Sequence, residues 1–124
     1  MRADGDEVEA VKQLTGGNGA EAVIDFVGEG DVVAKGLEMT RNGGFYYVVG
    51  YGGKIDLPTI DMITSEKTIV GNLVGTYPEL VELMALADRG LVDLATREYR
   101  LSEANQALHD LHGGKIKGRA VLIP

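Results

Sequence analysis

Cysteine and tryptophan are absent from the 124 residues, and proline occurs only three times. Without cysteine, disulfides and thiolate metal sites are excluded. No apolar run approaches the roughly 20 residues that a membrane-spanning helix needs, so no membrane partner is expected. The opening Met1-Arg2-Ala3-Asp4-Gly5-Asp6 has no apolar core, so no secretory signal is read there, and a cytoplasmic location is the default expectation. Positive charge is also scarce. Twelve bases face 19 acids, a formal net charge of −7, which argues against a general nucleic-acid partner. One basic cluster remains near the end, at Lys115, Lys117 and Arg119.

Glycine is abundant, at 18 residues, while 44% of the chain is hydrophobic and 25% charged. That balance suits an α/β protein, whose tight strand–helix junctions often need positive φ. The length fits one domain with a real core. Apolar periodicity alternates along the chain. Asp6 to Leu14 reads as a helix, with Val8, Val11 and Leu14 on one side, stopped by Thr15-Gly16-Gly17-Asn18-Gly19. Ala22 to Val27 reads as a buried strand, Asp31 to Met39 as a helix closed by Asn42-Gly43-Gly44, and Phe45 to Val49 as a second strand.

Pro58 interrupts the next stretch, where a short helix is expected around Asp61. Lys67 to Val74 is rich in β-branched residues and reads as a third strand. Thr76 and Glu79 have capping-box spacing and open a helix carrying Leu80, Leu83, Met84 and Ala87 at i, i+3, i+4 and i+7. Glu98 to Leu101 reads as a small strand. Ser102 is expected to cap a helix with Ala104, Ala107, Leu108 and Leu111 on one face, before a closing strand at Ala120 to Ile123. Strands separated by helices pair in parallel through right-handed crossovers, so the fold class is α/β.

Motif by motif, little chemistry is specified. Gly17-Asn18-Gly19-Ala20-Glu21-Ala22 has the spacing of a dinucleotide fingerprint, but a helix precedes it and a strand follows, the reverse of what pyrophosphate binding requires. It reads as a helix stop. Gly50-Tyr51-Gly52-Gly53 follows a strand without opening a clear helix. His109 and His112 share a helix face but have no third ligand near them in sequence, and a solvated helix end is the better reading. No catalytic constellation can be argued from spacing. Asp25, inside an apolar strand, is either a functional acid or a buried structural acceptor. On spacing alone the cluster from Lys115 to Arg119 is a solvated turn. Ligands of such sheets bind at the carboxyl ends of the strands, here Phe26-Val27-Gly28, Val49-Gly50-Tyr51 and Asn72-Leu73-Val74-Gly75.

Those ends, in their order, resemble the second half of the cofactor domain of medium-chain, zinc-dependent alcohol dehydrogenases. Gly19 to Gly28 is similar to the family's fourth strand, Gly43-Gly44 with Tyr47 to Gly50 to its fifth, and Ser65 to Gly75 to its sixth. Glu103 to Ala107, with Gly114 to Leu122, resembles its closing helix and strand. The resemblance implies a partial Rossmann-like parallel sheet, strands 4-5-6 of a 3-2-1-4-5-6 order, with residues 1–124 forming a single incomplete NAD-binding domain. It implies that Phe26, Val27 and Gly28 line the adenosine side of the cleft. The backbone of Val49, Asn72 and Val74, beside Leu73, would hold the nicotinamide carboxamide. Arg119 would pair the pyrophosphate, and the loop from Gly50 through Tyr51 to Gly53 would sit near the domain hinge.

The cofactor implied is NAD or NADP. Zinc belongs to the parent protein only, with no ligands and no catalytic residue in this chain. The first three strands, the Gly-rich turn and the zinc domain have no counterpart, so the fragment is expected to be inactive alone and to bind cofactor weakly. Self-association through a sheet edge is expected, near Ile24 or near Ile69. Quinone reductases and polyol or threonine dehydrogenases are neighbouring readings. The alternative from another class is a stand-alone α/β interaction or dimerisation module without catalysis.

Overall fold

A computed structural model describes residues 5–124. The expectation that no secretory signal opens the chain falls, over residues 1–4, outside the described residues. Contacts divide the chain into two compact units, the first ending at Val74 and the second running from Gly75 to Pro124. No helix among the described residues is long and apolar enough to cross a membrane.

The first unit holds α1 (Glu7–Leu14), β1 (Ala20–Asp25), α2 (Val32–Met39), β2 (Thr40–Val48), α3 (Thr59–Ser65) and β3 (Thr68–Gly71). The strands form one sheet in the order β1-β2-β3, both pairings parallel. The α/β class and its strand-by-strand parallel order are therefore as the sequence implies. The core lies between α2 and the sheet: Val33 and Leu37 pack on fully buried Tyr46, with Val23, Val48 and Ile69 around them. Those three sheet residues alternate with outward-facing neighbours, as the two-residue period of a strand requires. Gly36 makes room for the tyrosine, since a Cβ there would lie 2.5 Å from the Tyr46 ring.

All three strands have boundaries that differ from expectation, β1 starting and ending two residues earlier than Ala22 to Val27. The second strand starts at Thr40, five residues earlier than the apolar run at Phe45, and Asn42-Gly43-Gly44 lies within it rather than closing the helix. The reason is how the end of α2 is capped, by one near and one distant side chain. The Thr40 hydroxyl donates to the Gly36 carbonyl at 2.8 Å and Lys67 Nζ donates to that of Leu37 at 2.7 Å. With its last carbonyls satisfied, the helix needs no glycine stop, and Thr40 is already extended at φ −76°, ψ 128°. A register shift between Ala20 and Ala22 absorbs the extra strand length. The third strand is shorter than Lys67 to Val74 because the chain turns after Gly71, and Val74 adopts a positive φ of 38°.

The second unit contains α4 (Tyr77–Asp88), β4 (Thr96–Arg100), a 3-10 turn (Leu101–Glu103), α5 (Ala104–His112) and β5 (Arg119–Ile123). The expected capping box is present: the Thr76 hydroxyl receives the Glu79 amide while Glu79 Oε2 accepts from the Thr76 amide at 2.6 Å. Strands β4 and β5 pair in parallel across α5. Ser102 is not the cap of that helix. It lies in the 3-10 turn, where Glu103 Oε2 accepts from the Arg100 amide at 2.8 Å and satisfies the entry instead. Helix α5 buries Ala107 and Asp110 rather than Leu108 and Leu111, which stay exposed.

Candidate functional site

Because β1, β2 and β3 are parallel and adjacent, their carboxyl ends gather at one end of the sheet. The register keeps them level, with Asp25 opposite Val48 and Val48 opposite Gly71. The chain therefore leaves all three strands together, at the end where ligands of open α/β sheets bind. Nine of the ten candidate residues meet there: Phe26, Val27 and Gly28 beyond β1, Val49, Gly50 and Tyr51 beyond β2, and Asn72, Leu73 and Val74 beyond β3. Arg119 belongs to the second unit, where it opens β5 with an exposed side chain.

This end of the sheet is bare of covering side chains. Phe26 is 73% exposed, Tyr51 92%, Leu73 90% and Val74 93%, so four large apolar or aromatic groups face outward from the three exits. Exposed apolar groups gathered at one place mark contact surfaces more often than solitary ones do. The backbone at Val74 is also unusual. A β-branched residue at φ 38° is a steric outlier, of the kind that costs about 1–3 kcal/mol and clusters at binding segments. A cavity of about 260 Å³ opens beside the β2 exit, walled in part by Gly28, Val33, Val48, Gly50 and Tyr51.

The exits of β1 and β2 touch backbone to backbone. A Cβ on Gly50 would stand 2.5 Å from the amide nitrogen and from the carbonyl oxygen of Val27, and one on Gly28 would stand 2.7 Å from the Tyr51 nitrogen. Only glycine fits either position. Gly28 needs it twice, because its φ is +66°. The Gly53 amide donates to the Gly28 carbonyl at 2.8 Å and closes the contact.

Beneath that contact lies Asp25, 4% exposed. Its Oδ1 accepts from the amides of Val27 at 2.8 Å and Gly28 at 2.9 Å, and its Oδ2 from the Tyr46 hydroxyl at 2.6 Å. Its main-chain carbonyl accepts from the amides of Val49 at 2.8 Å and Gly50 at 2.9 Å. Burial pushes the carboxyl pKa up, but the Tyr46 hydroxyl and the Gly28 and Val27 amides outweigh it, holding Asp25 below the ordinary aspartate value. Burial and the bond to Asp25 in turn push the Tyr46 phenol up. Of the two readings of Asp25, the buried structural acceptor is the one the geometry supports.

Asn72 continues the ladder beyond β3, its amide donating to the Val48 carbonyl at 2.8 Å and its side chain reaching the Val70 carbonyl at 3.2 Å. In the second unit a similar knot surrounds Asp110. This buried carboxylate accepts from the Tyr99 hydroxyl at 3.1 Å and Gln106 Nε2 at 3.0 Å, and Lys115 Nζ lies 3.5 Å away. Arg97 stacks over the Tyr99 ring at 4.9 Å. Lys115 is thus engaged with Asp110, whereas Arg119 is fixed through its backbone, its amide donating to the Ala95 carbonyl at 2.9 Å. His109 and His112 occupy the last turn of α5, and no group of three His, Cys, Asp or Glu able to hold a metal gathers among the described residues.

Sequence reasoning overlooked Tyr46 and Tyr99 as partners of buried carboxylates. The available signals were faint: a glycine inside α2 opposite an aromatic strand residue, and an aspartate on the apolar side of α5.

A family model described as zinc-binding dehydrogenase matches residues 2–89. An NAD-dependent alcohol dehydrogenase of Sulfurisphaera tokodaii is 33% identical over 123 residues, covering 96% of this chain and 35% of the relative. One of Sulfolobus acidocaldarius is 33% identical over 117 residues, covering 92% and 34%. Among solved structures, the alcohol dehydrogenase of the hyperthermophilic archaeon Aeropyrum pernix superposes with a TM-score of 0.91 at 41% identity, covering 100% of this chain and 36% of that one. The chain spans about a third of the length of the relatives it matches.

Proposed function

Since this chain belongs to the zinc-binding dehydrogenase family, we propose that it supplies the nicotinamide side of the cofactor site in an NAD(P)-dependent alcohol dehydrogenase, and that by itself it does not catalyse hydride transfer. The observation that carries this reading is the level, apolar rim at the three strand exits, with Phe26, Tyr51, Leu73 and Val74 bare above a backbone packed without side chains at Gly28 and Gly50. Flat heteroaromatic rings suit such a rim, because apolar walls take the ring faces while main-chain groups select ring orientation.

Phe26, Val27 and Gly28 take the adenosine side. The main chain at Val49, Asn72 and Val74 holds the carboxamide of the nicotinamide, with Leu73 against the ring and the loop of Gly50 and Tyr51 beside it. Arg119 pairs with the pyrophosphate, a role suited to a planar guanidinium with several donors. The cofactor, when bound, supplies the hydride acceptor, and the protein's share is to bind and orient it. Zinc, in this reading, is held by residues of the parent protein outside this chain. In this reading residues 1–124 are one incomplete cofactor-binding portion. β1 and β3, the two edge strands of the first sheet, are where self-association would occur.

Fluorescence titration with NADH tests the reading. The full protein carrying this chain binds NADH, and Arg119→Ala weakens that binding roughly tenfold, the equivalent of one charge-assisted contact. The isolated 124 residues bind weakly and show no alcohol oxidation with NAD. Unchanged affinity in Arg119→Ala removes the pyrophosphate assignment. Turnover by the isolated chain removes the claim that it is inactive alone.

A further inference from the structure

The main-chain amides of four of the nine strand-exit residues, Val27, Gly28, Val49 and Gly50, are all held by a single residue, two by its carboxylate and two by its carbonyl. We propose that Asp25, seated by Tyr46, is a positioning residue for the cofactor cleft: it fixes the two exit turns relative to one another and so sets the shape of the adenosine and carboxamide walls. The proposal rests on the reading of the strand exits as a cofactor site.

Three features argue for positioning rather than for core filling. First, the carboxylate meets the core cluster through a directed hydrogen bond to Tyr46 rather than as apolar filling. Its three side-chain bonds go to two exit amides and one hydroxyl. Second, Tyr46 is fully buried, with its ring against Gly36 of α2, so the anchor is carried by the packed helix–sheet interface rather than by a loop. Third, the exits approach so closely at Gly28 and Gly50 that a small change in either turn must displace the other. A binding surface built from loop main chain needs such support, because side-chain packing does not define where its amides and carbonyls point.

Charge matters to the arrangement as well as shape. An ionised carboxylate accepts from all three donors at once and binds amides more strongly than a neutral group does. Asp25→Asn keeps the Oδ1 acceptor for Val27 and Gly28 and presents an NH2 group to the Tyr46 hydroxyl, which then accepts. Asp25→Ala removes every side-chain bond. Tyr46→Phe leaves the amide bonds and removes only the anchor.

The test uses the full protein carrying this chain, with amide hydrogen exchange and NADH titration on each variant. In Asp25→Ala, exchange at Val27 and Gly28 rises at least about tenfold while the Asn72 amide, bonded to Val48, stays protected, and the NADH dissociation constant rises roughly tenfold. Asp25→Asn restores affinity to within about threefold of wild type, and Tyr46→Phe falls between the two. Should Asp25→Ala fail to fold, Asp25→Asn and Tyr46→Phe carry the comparison. A wild-type protein that binds NADH, beside folded variants with loosened exits and unchanged affinity, overturns the positioning role. So do exit amides that stay protected when the carboxylate is removed or, in the conservative pair, exchange and affinity both unchanged. A wild-type protein that does not bind NADH overturns the cofactor reading instead, and the exchange arm alone then decides whether Asp25 holds the turns.

Discussion

Replacing Gly50 by alanine drives a wedge between the exits of β1 and β2, and its effect follows from the distances. The new methyl carbon would stand 2.5 Å from both the nitrogen and the carbonyl oxygen of Val27, where ordinary contact begins at 3.4 Å. Both obstacles are main chain, so no side chain can swing aside. The two turns must part by about 1 Å, which carries the Val49 and Gly50 amides, now 2.8 and 2.9 Å from the Asp25 carbonyl, beyond good hydrogen-bond geometry. Two weakened backbone bonds cost about 1 kcal/mol each. Overpacking adds about 1–3 kcal/mol, and the smaller entropy of an unfolded alanine chain returns about 0.4–1 kcal/mol. The net loss is about 2–4.5 kcal/mol, a large share of a small unit's stability.

Gly71→Ala is the matched control. Nothing lies within 4 Å of a Cβ there and its φ is not positive, so the same substitution is expected to be neutral or to stabilise by up to about 1 kcal/mol. The assay is urea unfolding followed by peptide-resolved hydrogen exchange over residues 20–25 and 40–48. Gly50→Ala lowers the midpoint by roughly 1–2 M relative to Gly71→Ala. Equal midpoints for the two variants would refute the claim that the exits are in rigid contact.

Other consequences concern the two buried carboxylates and one helix end. Tyr46→Phe strands one oxygen of a buried charge and costs about 1.5–3 kcal/mol at neutral pH, measured by urea midpoint. Asp25 has its folded pKa below the unfolded value, so its contribution is complete above about pH 4 and disappears as the pH falls through the folded pKa. The gap between wild type and Tyr46→Phe should therefore narrow on acidification from pH 5 to about pH 2. Asp110→Ala leaves the buried Tyr99 hydroxyl without its acceptor and costs about 1–3 kcal/mol, read as faster amide exchange over 96–100 and 119–123. Glu66→Gly relieves an exposed left-handed residue, φ 51°, at the end of α3 and raises stability by up to about 1 kcal/mol, seen as a higher thermal midpoint for the first unit.

Element identity was readable from sequence where one signal dominated. The apolar run from Ala22 and the β-branched stretch around Ile69 marked two parallel strands, although β1 is Ala20–Asp25, with Ile24 exposed and Phe26 and Val27 beyond its end, rather than a buried strand through Val27. The spacing of Thr76 and Glu79 announced the capping box that opens α4. Boundaries were less readable where satisfaction came from a distance. Lys67, thirty residues on, closes the carbonyl of Leu37, so α2 ends without using the glycines placed after it. Ser102 looked like a cap by composition, but Glu103 reached the Arg100 amide first. The rejected fingerprint at Gly17 to Ala22 was readable for the opposite reason. Order along the chain alone showed that no strand precedes it, and the structure places α1 before it and its last three residues in β1.

What the sequence determined by itself is the alternation of strands and helices, and with it the parallel pairing that sends three strand exits to one end. Local periodicity and connection handedness suffice for that, because both act over a few residues. Only the tertiary structure decided how those exits are held. Asp25 and Tyr46 are 21 residues apart, and Gly28 and Gly50 are 22, so neither the carboxylate–phenol bond nor the backbone contact leaves a local signal. Such contacts exist only once β1 and β2 lie in register. An aspartate that could have been a reactive acid becomes, in that register, the acceptor for amides of both exit turns.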